Sequence, residues 1–156
     1  MKLFTKKNLL LIAAIFAIVG FIGAFLSPLK MEMLGMTESA KIGDVYFGET
    51  GVILPFLAFF LLLAGAVVLF LAKGKSDKKL AIIGIALLVI GALVPLFTEA
   101  LYINANIPDG MPAEYADLFV STMKETLSLG FGPVLGAIGG FGGAAIAAVA
   151  TFIVKE

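Results

Sequence analysis

Four long uncharged apolar stretches constrain this chain more than anything else in it. They cover residues 9–26 (extendable to Ser27), 52–72, 80–97 (continuing to Tyr102), and part of 127–154. A hydrocarbon core about 30 Å thick takes about 20 helical residues to cross, so each stretch is long enough for one span. In lipid the backbone has no water to bond, which leaves the helix as the natural form for each. The expected fold is therefore an all-α integral membrane protein, a four-transmembrane-helix bundle. It forms a single domain over 1–156, with spans near 9–27, 52–72, 80–102 and 133–154. Loops then fall at 28–51, 73–79 and 103–132. A chain of 156 residues leaves no room for a separate soluble domain. The basic tail and first stretch could suggest a signal peptide, but eighteen apolar residues exceed a normal leader core and no clean cleavage site precedes Pro28.

The lysines set a direction. Lys2, Lys6, Lys7, Lys73, Lys75, Lys78, Lys79 and Lys155 fall on one side with Asp77 and Glu156. Lys30, Lys41 and Lys124 fall on the other, against Glu32, Glu38, Asp44, Glu49, Glu99, Asp109, Glu114, Asp117 and Glu125. The balance is +6 against −6 from the same 22 charges. By the positive-inside rule both termini and the loop at 73–79 are cytoplasmic, and the two longer loops face outward. Tyr46, Tyr102 and Tyr115 all fall near the outer side, where interfacial aromatics sit. The expected location is the cell membrane, multi-pass, and the short, arginine-free, lysine-rich chain has a prokaryotic style. The layout is similar, in topology alone, to the claudin-like and tetraspanin layouts, whose outer loops carry tryptophans and cysteines that this chain lacks.

The fourth stretch is the strangest. Gly132, Gly136, Gly140, Gly143, Ala147 and Ala150 recur at spacings of 4, 4, 3, 4 and 3. That pattern keeps them on one helical face. Gly139, paired with Gly143 at a spacing of four, is counted with them as a packing residue although it lies off the stripe, as does Gly142. Such a face lets another helix approach closely. The approaching helix belongs either to this chain or to a partner. Packing within the chain is favoured, since it uses the same residues, while glycines off the stripe leave room for a second, external contact. Gly130, Gly132 and Pro133 form an expected hinge ahead of this span. Pro95 should kink the third span.

In the outer loops, residues 41–51 read as an extended turn punctuated by glycines. After Pro112 comes an amphipathic helix with Tyr115, Leu118, Phe119, Met123 and Leu127 on one face. Met31, Met33 and Met36 put three thioethers within six residues, ligands that suit a soft cation such as Cu(I). Over those residues the run resembles the methionine motifs of copper-handling proteins. Methionine also serves as an interfacial gap-filler. Asp44, Glu49, Asp109, Glu114 and Asp117 supply hard oxygens but lack the spacing of a calcium loop.

Glu99 lies twenty residues, about 30 Å of helix rise, from Lys79. That reads as an interfacial acid rather than a midplane coupling site. Histidine and cysteine are absent, which removes the usual general base, thiolate nucleophile and transition-metal ligands. The segment at 73–79 is too short for a phosphate-cradling loop, and suits topogenesis and attraction to anionic lipid. No enzyme activity, cofactor or nucleic-acid partner is expected. The sequence points to a structural or accessory subunit that packs through its Gly/Ala helix against itself or other membrane proteins in the bilayer. The alternative is a small oligomeric channel or transporter.

Overall fold

The computed structural model describes residues 4–155; Lys2 and Glu156, which enter the charge balance, lie outside them. The fold is mostly helical. Helix α1 (Lys6–Ile22) ends in a 3-10 turn and leads to strands β1 (Leu29–Met33) and β2 (Met36–Ser39). The short α2 (Ile42–Tyr46), then α3 (Ile53–Lys75) and α4 (Lys78–Leu93) follow. A 3-10 turn at Val94–Phe97 joins α4 to α5 (Thr98–Ala105). Helix α6 (Ala113–Thr126), strand β3 (Leu127–Leu129) and α7 (Phe131–Ala148) complete the chain, with a π turn at Val149–Ile153. Four helical stretches, Lys6–Phe25, Ile53–Lys75, Lys78–Ala105 and Phe131–Ile153, are long and apolar enough to cross a membrane.

The four long helices form a ring in which α1 packs on α7 and α3, and α4 packs on α3 and α7. Each buries small residues at helical spacing. Ala13, Ala17, Gly20 and Ala24 do so on the first stretch, and Ala81, Gly84 and Gly91 on α4. Between α3 and α4 the fit is reciprocal: Leu88 fills the space above Gly65, and Leu69 the space above Gly84. Pro95 has no N–H to give the turn before it, and the chain tightens into 3-10 geometry there. The α3–α4 connection is short. Lys75 is followed by Ser76 in the left-handed region, a common helix stop, and Asp77 then caps α4 through the Lys79 and Leu80 amides.

At the opposite end both longer loops join in one antiparallel sheet of order β2-β1-β3, so the chain is not purely helical. The alternation Leu-Lys-Met-Glu-Met has the period of a strand. Leu127 pairs with Met31 in this sheet and does not extend the α6 face, because α6 ends at Thr126. The expected extended turn at 41–51 is also corrected. Ile42, Val45 and Tyr46 share one side of a helical turn, and the burial of Val45 and Tyr46 favours helix α2.

The hairpin loop Leu34-Gly35 has positive φ at both residues, 52° and 78°. This is the pattern of a type I′ turn, which prefers Asn-Gly. A leucine in that region costs about 1 kcal/mol. Leu34→Asn is therefore expected to stabilise the hairpin by about that amount, read as slower amide hydrogen exchange in β1 and β2. Unchanged exchange would mean the turn is not formed.

Candidate functional site at the sheet-bearing end

Along the four helices there is little chemistry to build with. Among the described residues, the buried polar side chains of the four long helical stretches are Thr98 and Thr151. Each hydroxyl donates to its own helix backbone, Thr98 to the Pro95 carbonyl at 2.6 Å and Thr151 to that of Ala147 at 2.7 Å. An apolar groove of about 330 Å³ between α1 and α3 is lined by residues such as Ile15, Ile18, Val67 and Phe70, with no polar surface. Glu99 sits half-buried in the first turn of α5, near the sheet-bearing end.

The glycine-rich helix α7 is surrounded from within the chain. A Cβ on Gly139 would lie 2.5 Å from Gly20 Cα and 2.5 Å from the Phe16 carbonyl oxygen, both on α1. On Gly140 it would meet Ala92 Cβ at 2.5 Å and Leu62 Cδ2 at 2.8 Å. Gly143 faces the Ala13 carbonyl, and Gly136 faces the edge of the Phe59 ring. Gly132, Ala147 and Ala150 are buried too. The one face drawn from spacing is thus part of a wider surface, because α1 and α4 approach α7 on adjacent flanks. Gly139 belongs to that surface. Gly142 meets only the Phe16 ring.

The junction at Gly130–Pro133 is a packing point. Gly130 is extended and donates its N–H to the Pro28 carbonyl, and the Gly132 N–H goes to the Ser27 carbonyl at 3.0 Å. A side chain at Gly130 would strike the Ser27 carbonyl oxygen. Sequence spacing alone missed Gly20, Gly65, Gly84 and Gly91, although small residues at intervals of three and four were there to be read.

The polar groups collect in the cap made by the sheet, α2, α5 and the start of α3. Ser27 Oγ lies within donating distance of both the Leu29 and Ala40 carbonyls, at 2.9 and 3.2 Å. Thr50 Oγ1 donates to Asn106 Oδ1 at 2.7 Å, tying the first loop to the second. Phe47 and Tyr46 pack on Phe56 at 4.9 and 5.5 Å, Phe56 on Phe60 at 5.5 Å, and Phe60 on Phe21 at 5.2 Å. This run of rings anchors α2 to α3 and α1, in the tilted or edge-on arrangements that aromatic pairs prefer. A cavity of about 310 Å³ opens in the cap, lined by Glu38, Ser39, Lys41, Asp44 and Tyr102 over an apolar floor that includes Leu29 and Val45.

Beside it, Met31, Met33, Met36 and Glu38 line a second depression of about 180 Å³. The candidate hard-oxygen ligands do not converge. Among the described residues no three acids come together to hold a metal ion, so Asp44, Glu49, Asp109, Glu114 and Asp117 stay separate. Helix α6 buries none of its residues and leaves Tyr115 and Leu118 exposed.

Tyr46 is 2% exposed, and its hydroxyl has no hydrogen bond of good geometry. Thr98 is a polar neighbour, but its own proton goes to Pro95. Burial pushes the Tyr46 phenol up from 10.0 to about 12, with Thr98 opposing only in part. An unfolded chain ionises this group near 10, and the folded chain resists until about 12. Its contribution to stability is therefore complete below pH 10 and is lost between pH 10 and about 12. Tyr46→Phe is expected to shift the onset of alkaline unfolding upward, measured by circular dichroism across that window. An unchanged onset would place the phenol in water.

Comparison with family models, with curated proteins and with solved structures finds no match to this chain.

Proposed function

We propose that this chain is a small multi-pass membrane protein of the cell membrane with both termini cytoplasmic. In this reading it is a structural or accessory subunit of an oligomer or a larger membrane complex. The observation that carries the reading is the contrast between the two parts of the molecule. The interior of the long helices is apolar, and its two buried threonine hydroxyls are already satisfied. The polar groups and cavities instead collect in a cap built from both long loops. Transport leaves polar groups along a path, and the described residues of the four long helices of a single copy line none.

The small residues of α7 meet the chain's own helices, so a partner would meet the cap, with Tyr115 and Leu118 of α6 exposed, or the larger apolar side chains exposed along the helices, such as Ile138 of α7. The lysines support the orientation in a second way. Lys6, Lys7, Lys78 and Lys79 occupy first turns of helices, where the helix dipole disfavours positive charge. Lysine placed there against the local rule suits a role in fixing topology and in reaching the lipid surface.

The test is the mass of the particle in native lipid nanodiscs, with its co-purifying chains, alongside ion flux in liposomes. Stoichiometric association with itself or with other subunits, without flux, is the expected result. A defined ring that conducts ions would overturn the accessory reading in favour of a channel.

A further inference from the structure

The methionines at the hairpin tip are placed by register and not only by proximity in sequence. Met33 pairs directly with Met36, and Met31 pairs directly with Glu38. Side chains two apart on a strand share a face, so Met31 and Met33 of β1 and Met36 and Glu38 of β2 all project from the same side of the ribbon. Cross-strand neighbours have Cβ atoms about 5 Å apart, and same-face neighbours along a strand lie about 7 Å apart. Three flexible thioether arms can close on one point from that spacing.

These side chains are not core filler. Met31, Met33 and Met36 are 39%, 61% and 70% exposed, and together with Glu38 they line one depression of about 180 Å³. We propose that Met31, Met33 and Met36 form a site for a soft monovalent cation of the Cu(I) type, bound through three thioether sulfurs on one face of the β1–β2 hairpin. Thioethers are neutral, soft donors that suit Cu(I) and are poor ligands for hard cations. Glu38 supplies a nearby negative charge that offsets the charge of the ion without being a preferred ligand. The inference stands on the hairpin register and does not depend on the accessory role or on which side of the membrane the hairpin faces.

The test is titration of the full chain in dodecyl maltoside with Ag(I), a redox-inert stand-in, and with Cu(I) in competition with a colorimetric chelator. The wild type is expected to bind one ion per chain, with the ε-methyl resonances of three methionines shifting. Replacement of Met31, Met33 and Met36 by Leu keeps the apolar bulk and should weaken binding about 100-fold or more while leaving the helical circular dichroism unchanged. Replacement of Met111 and Met123 by Leu should change neither, and excess Zn(II) should not compete. Absence of saturable 1:1 binding, or equal affinity in the triple Leu variant, would overturn the proposal. So would loss of binding in Glu38→Gln with retention in the triple Leu variant, because that pattern marks a hard cation.

Discussion

Gly139→Ala is expected to unfold the helical assembly or lower its melting temperature by about 6–12 degrees in mild detergent, a cost of about 3 kcal/mol. A single methyl does this because its nearest neighbours are the Gly20 backbone and the Phe16 carbonyl oxygen at 2.5 Å, and backbone cannot rotate away. The only relief is to push α1 off α7, which loosens the contact along its whole length. Two controls sharpen the expectation. At Gly142 the added methyl meets the Phe16 ring at 2.9 Å, and a ring can swing aside, so Gly142→Ala should cost little. At Gly74 there is nothing within 4 Å, and Gly74→Ala should be neutral or mildly stabilising. If Gly139→Ala melts like Gly74→Ala, helix α1 does not lie against α7.

Phe59→Ala should destabilise by about 3–5 kcal/mol, the usual range for removing a fully buried aromatic ring. Phe59 is 0% exposed, and its ring edge stands over Gly136 of α7 and against Gly23 after α1. It thus fills the centre of the ring of helices from α3. A double-mutant cycle gives the more specific result. Gly136→Ala alone brings a methyl to 2.6 Å from Phe59 Cε1 and should destabilise. In the Phe59→Ala background the same methyl enters the vacated space and should stabilise, with a coupling of about 1–3 kcal/mol between the two positions. Additive effects in thermal unfolding would separate the two residues and contradict the packing.

The long helices were legible because an uncharged run of that length admits few alternatives, and α6 was legible from its amphipathic spacing. The 4-and-3 recurrence from Gly132 to Ala150 drew one face on α7. It could not give the width of that face, since a spacing argument assumes one neighbour and α7 has two extensive ones, α1 and α4. Gly139 lies off the stripe and counts as a packing residue through its spacing of four from Gly143; it has some of the closest backbone neighbours.

The sheet was not read from the sequence because its strands are five, four and three residues long. Its β1–β3 pairing joins Leu29 to Leu129 across most of the chain, a contact that no local pattern encodes. Leu127 satisfied both a helical face and a strand position, and only the partner strand decides between them. The methionine motif showed the right ligand chemistry in sequence. Its convergence on one face depends on the hairpin register, which the two-residue turn at Leu34-Gly35 sets.

The central claim is that this chain crosses the membrane four times and presents its sheet-bearing cap to the outside. The chain contains no cysteine, so one introduced thiol reports one position. Ser121 on α6 and Ser76 between α3 and α4 are both exposed and lie at opposite ends of the molecule. Intact cells expressing Ser121→Cys or Ser76→Cys would be treated with a membrane-impermeant maleimide, before and after permeabilisation. The account predicts that Ser121→Cys is labelled in intact cells and Ser76→Cys only after permeabilisation. Labelling of Ser76→Cys in intact cells, or protection of Ser121→Cys until the membrane is opened, would contradict it.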